Sequence, residues 1–195
     1  MAETRLEKVV ALIDAANAQD PERHEDDGQS LPGAYLYGRR MSETLERLRP
    51  EASEALRIAV RAQHLERWKL PRKEFPEGRA GYYAWRREQA RRHAARLAEL
   101  MDEAGYSEEE AGRAGSLVRK EALKRDPETQ ALEDCACIVF LAHYADDFIA
   151  DYDDEKVRDI LRKTARKMSP EGLAMAGSLP LSERLGRLLG EALSQ

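Results

Sequence analysis

The run Cys135-Ala136-Cys137-Ile138-Val139-Phe140-Leu141-Ala142 constrains this chain more than any other feature. It is apolar on every side at helical spacing, and it follows Asp126-Pro127, a pair that starts a helix. A helix with no polar face must be buried all round, so the sequence predicts a bundle with this helix at its centre. Other segments repeat apolar residues at helical steps, with Leu6, Val9, Val10 and Ile13 marking a first helix over 3–17. Further helices are expected over 35–48, 51–68, 80–104, 154–168 and 182–193, with a brief one near 171–176. Ser107 with Glu110 forms a capping box for a helix running to about Lys124. Residues 21–33 read as a long polar surface loop, and no hairpin signal or tandem repeat is apparent. The expected fold class is all-α, a single globular helical domain over residues 1–195.

Composition bounds the possible functions. Charged residues make up 35% and hydrophobic residues 42%, which suits a folded helical protein with a highly charged surface. No apolar run approaches membrane length, and Met1-Ala2-Glu3-Thr4 lacks a basic region followed by an apolar one, so the expectation is a protein neither exported nor membrane-spanning. Cys135 and Cys137 read as small buried residues, which suits a reducing cytoplasm. The net charge of −5 hides an asymmetry. Between Arg61 and Arg96 eleven Lys or Arg stand against four Glu, a local +7 that leaves −12 elsewhere. A basic patch on an acidic chain argues against nucleic acid and membrane as partners and for a pocket that takes a small anionic ligand. The oligomeric state is left open.

Within that segment Leu56, Val60, His64 and Trp68 fall at four-residue steps, as do Trp85, Gln89, His93, Leu97 and Met101. His64 and His93 thus interrupt core stripes, and the plainest reading is two satisfied core histidines. Glu133 and Asp134 open the most apolar helix, either exposed near its N-terminus or facing a site that holds His64, His93 or Lys120. Two imidazoles and a carboxylate from three helices would suit Zn, Mn or Fe, with His64, His93, Glu133 and Asp134 as candidate ligands. No HExxH, His-Asp or Glu-x-x-His pattern accompanies them. Arg61, Arg67, Arg72, Arg79 and Arg86 are interleaved with Trp68, Phe75, Tyr82, Tyr83 and Trp85, a mixture that can grip phosphate or carboxylate and stack on a ring. It can equally be the solvated face of long helices. Gln63 and Gln130 complete the candidate ligand-binding set, and His24 and His143 receive no role.

Several of these stretches resemble the domain-of-unknown-function family numbered 4202. They include Tyr37-Gly38-Arg39-Arg40-Met41, the run from Ala59 to Trp68, Pro71-Arg72, Pro76, Arg79-Ala80-Gly81-Tyr82, Trp85-Arg86, His93, the run from Gln130 to Asp134, Lys163-Thr164 and Lys167-Met168-Ser169. More faintly, the chain is similar to the HD-domain phosphohydrolases, all-α metalloenzymes that use a His, a His-Asp pair and a later Asp. His93-Ala94-Ala95-Arg96 resembles their first motif and Gln130 to Ala136 their last, which puts the His-Asp pair near Arg119-Lys120. Starting instead from His64-Leu65-Glu66-Arg67 puts the pair at His93-Ala94. In both alignments the metal set is incomplete, and Lys120 would supply positive charge where a metal stands in that family.

The resemblance implies a hydrolase-like HD-related bundle acting on a small phosphorylated or nucleotide ligand. His64 or His93 would act as general acid or base, Asp134 would orient it or help bind a divalent transition metal, and the arginines would grip the anion. A domain that kept the pocket and lost metal and chemistry, serving as a non-catalytic binding or regulatory module, is the competing expectation. Binding of an RNA end is a third, weakened by the acidic chain.

Overall fold

The computed structural model describes residues 3–194, so the Met1-Ala2 part of the expectation about the N-terminus, and Gln195, lie outside it. The described residues form an all-α protein with one small hairpin. The central element is α6 (Pro127–His143), capped by Asp126, whose side chain accepts from the backbone N–H groups of Glu128 and Thr129, with Pro127 in its first turn. Its run from Cys135 to Leu141 has no polar side chain because it serves two cores. Leu132, Cys135 and Val139 enter one apolar cluster, built with α1 (Arg5–Asn17), α2 (Gly33–Leu48), α3 (Glu54–Arg61), α4 (Gly78–Glu103) and α5 (Glu108–Val118). Cys137, Ile138 and Leu141 enter a second, built with α7 (Ala145–Ile149), α8 (Asp154–Ala165), α9 (Pro170–Gly177) and α10 (Glu183–Leu193). Among the described residues no helix is long and apolar enough to cross a membrane.

The capping box expected at Ser107 and Glu110 opens α5, and a second, Thr4 with Glu7, opens α1. Three expectations are corrected. The polar stretch 21–33 is not a loop: β1 (Arg23–Asp26) and β2 (Gln29–Pro32) pair antiparallel, with Asp26 opposite Gln29. Asp27 (φ 47°) and Gly28 (φ 76°) make the two-residue turn, for which Asp-Gly is the favoured pair.

The helix expected over 51–68 stops at Arg61. Glu66 adopts a left-handed conformation (φ 53°), and its backbone N–H donates to the side chain of the buried Asn17 on α1 at 2.9 Å. A tertiary hydrogen bond thus overrides the helical period of Leu56, Val60, His64 and Trp68. The helix expected to reach Lys124 stops at Val118. Its end is a Schellman turn in which Glu121 N–H donates to Ser116 C=O and Lys120 N–H to Leu117 C=O. Lys120 (φ 56°) occupies the position usually taken by glycine.

Between α3 and α4 the chain runs through two short 3₁₀ turns, Arg67–Lys69 and Arg72–Glu74. The Arg72 guanidinium donates to the carbonyls of Phe75 and Pro76, both at 2.9 Å, and binds the start of α4 through Gly78. A Cβ at Gly81 would stand 1.9 Å from the Pro76 carbonyl oxygen, so only glycine lets this loop lie on the first turn of α4. Gly81→Ala is expected to cost about 2 kcal/mol or more despite alanine's better helix propensity, read as a lower urea midpoint.

Candidate functional site

A cavity of about 840 Å³ opens between the two cores. One wall is the face of α4 that carries Tyr82, Trp85, Arg86, Gln89, Ala90 and His93, residues at i, i+3, i+4, i+7, i+8 and i+11. The facing wall is the third side of α6, with Glu133, Ala136, Cys137 and Phe140 at i, i+3, i+4 and i+7. Gln63, His64, Arg67 and Trp68 descend from the broken segment after α3, Tyr37 comes from α2, Lys120 from the Schellman turn, and Lys167 from beyond α8.

The helical rotation decides which acid serves the cavity. Glu133 is 5% exposed and points into it, where it accepts from the Lys120 ammonium and has that of Lys167 at 3.7 Å. Burial raises the affinity of Glu133 for a proton, but the two lysines outweigh this and hold it below the usual carboxylate range. Asp134, one residue on and 2% exposed, is turned away toward α9. It accepts from Ser169 N–H at 2.8 Å, Ser169 Oγ at 2.6 Å and the Gln130 amide at 3.0 Å. A Cβ at Gly172 would lie 2.6 Å from its carboxyl carbon. Asp134 and Gln130 therefore hold α9 on α6 and do not line the cavity.

The arginines divide in the same way. Arg61 makes a two-pronged pair with Asp14, at 2.7 and 2.6 Å, and ties α3 to α1. Arg79 lies over Tyr83 at 5.5 Å, outside the cavity lining. Arg72 reaches the cavity wall but spends its donors on its own loop. Arg86 lines the cavity and, among the described residues, donates to the Tyr82 hydroxyl at 3.2 Å. Arg67 stands apart: its guanidinium lies 4.6 Å from the centre of the Trp85 ring, and among the described residues no carboxylate reaches it. Burial and the neighbouring Arg86 lower its proton affinity, yet an arginine remains charged.

His64 stacks on Tyr37 with ring centres 3.7 Å apart and planes at 14°, and the His93 ring lies 6.5 Å away. Burial, together with Arg67, His93, Lys120 and Arg86, keeps His64 neutral well below its ordinary titration range. Burial likewise takes His93 down to about 4, against a hydrogen bond from its Nδ1 to Leu65 C=O at 2.6 Å. The Cys137 thiol, beside Glu133, is pushed by burial up to about 12 and is not a nucleophile at neutral pH.

The divalent metal implied by the HD-domain resemblance does not fit these donors. The Glu133 carboxylate is bound by Lys120, Asp134 faces α9, and among the described residues no three His, Cys, Asp or Glu side chains gather as a metal-binding group. The set His64, His93, Glu133 and Asp134 is thus not assembled in one place.

Sequence reasoning missed Tyr37, Lys167, Tyr144 and Phe148 as cavity residues. Tyr37 and Lys167 lie in stretches that carry the family resemblance, which was the available signal; Phe148 and Tyr144 follow the apolar run with none.

The family model for Domain of unknown function (DUF4202) matches residues 7–189. No curated protein and no solved structure matches the chain.

Proposed function

The chain belongs to the family described as Domain of unknown function (DUF4202), and with the cavity as its candidate site we propose that it binds a small phosphorylated ligand there. The observation that carries this reading is Arg67, a cation withdrawn from solvent against Trp85 with no acid among the described residues to balance it. Holding such a charge costs folding energy, and a guanidinium recovers that energy by gripping a phosphate through paired hydrogen bonds. The rest of the cavity adds to the surplus: Arg72, Arg86, Arg119, Lys120 and Lys167 stand against Asp20, Glu22 and Glu133, and Lys120 and Lys167 share the Glu133 carboxylate. The volume suits a metabolite rather than a macromolecule. Two buried free thiols, Cys135 and Cys137, support placing the protein in the reducing cytoplasm.

Arg67→Met separates affinity from stability. Without ligand it is expected to raise stability by about 1–2 kcal/mol, because an uncompensated charge leaves a partly desolvated site. Methyl phosphate at about a hundred times its Kd should stabilise the wild type by about 2.7 kcal/mol, roughly a 5–10 °C rise in Tm, and should not stabilise Arg67→Met. Thermal denaturation against sodium chloride of equal ionic strength checks both. An equal rise in both proteins removes Arg67 as the anion site.

A second reading, a phosphohydrolase using the same cavity, is favoured by the two neutral imidazoles of His64 and His93. Neutral His64 can take a proton from water as the water oxygen bonds to phosphorus and the ester P–O bond breaks, and the imidazolium then returns that proton to the departing alkoxide, which leaves as the alcohol. Phosphate release from a phosphate ester by the wild type, abolished in His64→Gln with binding retained, would support it; binding without turnover favours the non-catalytic module.

A further inference from the structure

Two residues of the cavity lining, His93 and Gln63, each carry a buried polar atom that calls for something other than an anion. His93 Nδ1 faces the carbonyl of Leu65, and a carbonyl only accepts, so Nδ1 carries the proton. In the neutral ring the remaining nitrogen, Nε2, is then an acceptor. It is buried without a partner among the described residues, on a side chain 3% exposed that lines the cavity. Gln63 Oε1, on the segment after α3, is a second buried acceptor without a partner among the described residues, and Gln63 lines the same cavity.

Buried acceptors are costly to leave unmatched, and each selects a ligand that carries a donor. A neutral donor is favoured over an ammonium group, because the cations that line this space, Arg67, Arg72, Arg86, Arg119, Lys120 and Lys167, outnumber its carboxylates, Asp20, Glu22 and Glu133. Two acceptors on different elements require more than one donor, which a polyol supplies. A phosphate group alone would fill little of about 840 Å³.

Resting on the reading of this cavity as a phosphate site, we propose that its ligand is a hydroxylated phosphate ester of the sugar phosphate class, whose hydroxyl groups donate to His93 Nε2 and Gln63 Oε1. His93 is then the residue that sets specificity, acting beside the anion-gripping arginine.

Calorimetric titration of the full chain with ribose 5-phosphate and with n-butyl phosphate, of similar length but without hydroxyls on its carbon chain, tests this. The expected result is binding of ribose 5-phosphate about tenfold or more tighter than butyl phosphate. The gap should close in His93→Phe through lost affinity for ribose 5-phosphate. It should persist in His93→Gln, whose amide can donate to Leu65 while its carbonyl accepts from the ligand. Gln63→Met, near-isosteric and lacking the acceptor, should narrow the gap and carries the test if His93→Phe does not fold. Equal binding of the two esters by the wild type, or a preference undiminished in Gln63→Met and in a folded His93→Phe, overturns the proposal while leaving the phosphate site standing. Failure of both esters to bind overturns the phosphate site as well.

Discussion

Asp134→Ala is expected to lower the unfolding free energy by about 3 kcal/mol while leaving the affinity of the folded protein for methyl phosphate unchanged. Its carboxylate receives three donors, Ser169 N–H, Ser169 Oγ and the Gln130 amide, in a site 2% exposed. Removing it strands those donors between α6 and α9, and Gly172 packs so closely on the carboxyl group that little room is left to rearrange. Ser169 also caps α9, accepting from Gly172 N–H at 3.0 Å, so the loss propagates into that helix. Urea denaturation reads the stability loss and calorimetry below the transition reads the affinity. A binding defect of tenfold or more with normal stability would return Asp134 to the cavity. The contrast with Arg67→Met, where affinity falls and stability rises, separates the scaffold from the site.

The second large effect is a loss of stability in mild acid. His93 titrates at about 4 in the folded protein against an ordinary value of 6.5. Between those values the unfolded chain binds the proton and the folded one does not, so stability falls as the pH falls from about 6.5 toward 4. The shift corresponds to roughly 3 kcal/mol at the lower end, with His64 adding in the same direction. Unfolding free energies measured across this window for the wild type and for His93→Gln isolate the contribution. The wild type should lose more, by about that amount; parallel curves would mean that His93 is solvated or already charged in the folded state.

These effects also show where the sequence speaks and where it is silent. The central helix was legible because no surface position tolerates eight consecutive apolar residues, and the caps at Ser107 and Asp126 were legible because the side chains that make them are local. The end of α3 was not, since its cause is Asn17, 49 positions from the Glu66 N–H it receives. The end of α5 was hidden because lysine, not glycine, takes the left-handed position. The hairpin had its Asp27-Gly28 turn in plain view, but its strands, Arg-His-Glu-Asp and Gln-Ser-Leu-Pro, lack the apolar alternation that marks a half-buried strand. That Arg67, His64, His93 and Lys120 would gather in one place could be anticipated from charge and spacing, and Gln63 from the family resemblance; all five line the cavity. The assignment of Glu133 rather than Asp134 to the cavity depended on the phase of α6, which is fixed by the two cores that hold it.

The chain's two tryptophans, Trp68 and Trp85, both line the cavity, and Arg67 lies against Trp85. Intrinsic tryptophan fluorescence therefore reports on this one place, and its titration with methyl phosphate at constant ionic strength tests the anion site most directly. A saturable change is expected in the wild type, absent in Arg67→Met and retained in Arg61→Met, since the Arg61 guanidinium pairs with Asp14 outside the cavity. A wild-type signal that does not saturate, or one that survives unchanged in Arg67→Met, would contradict the anion site.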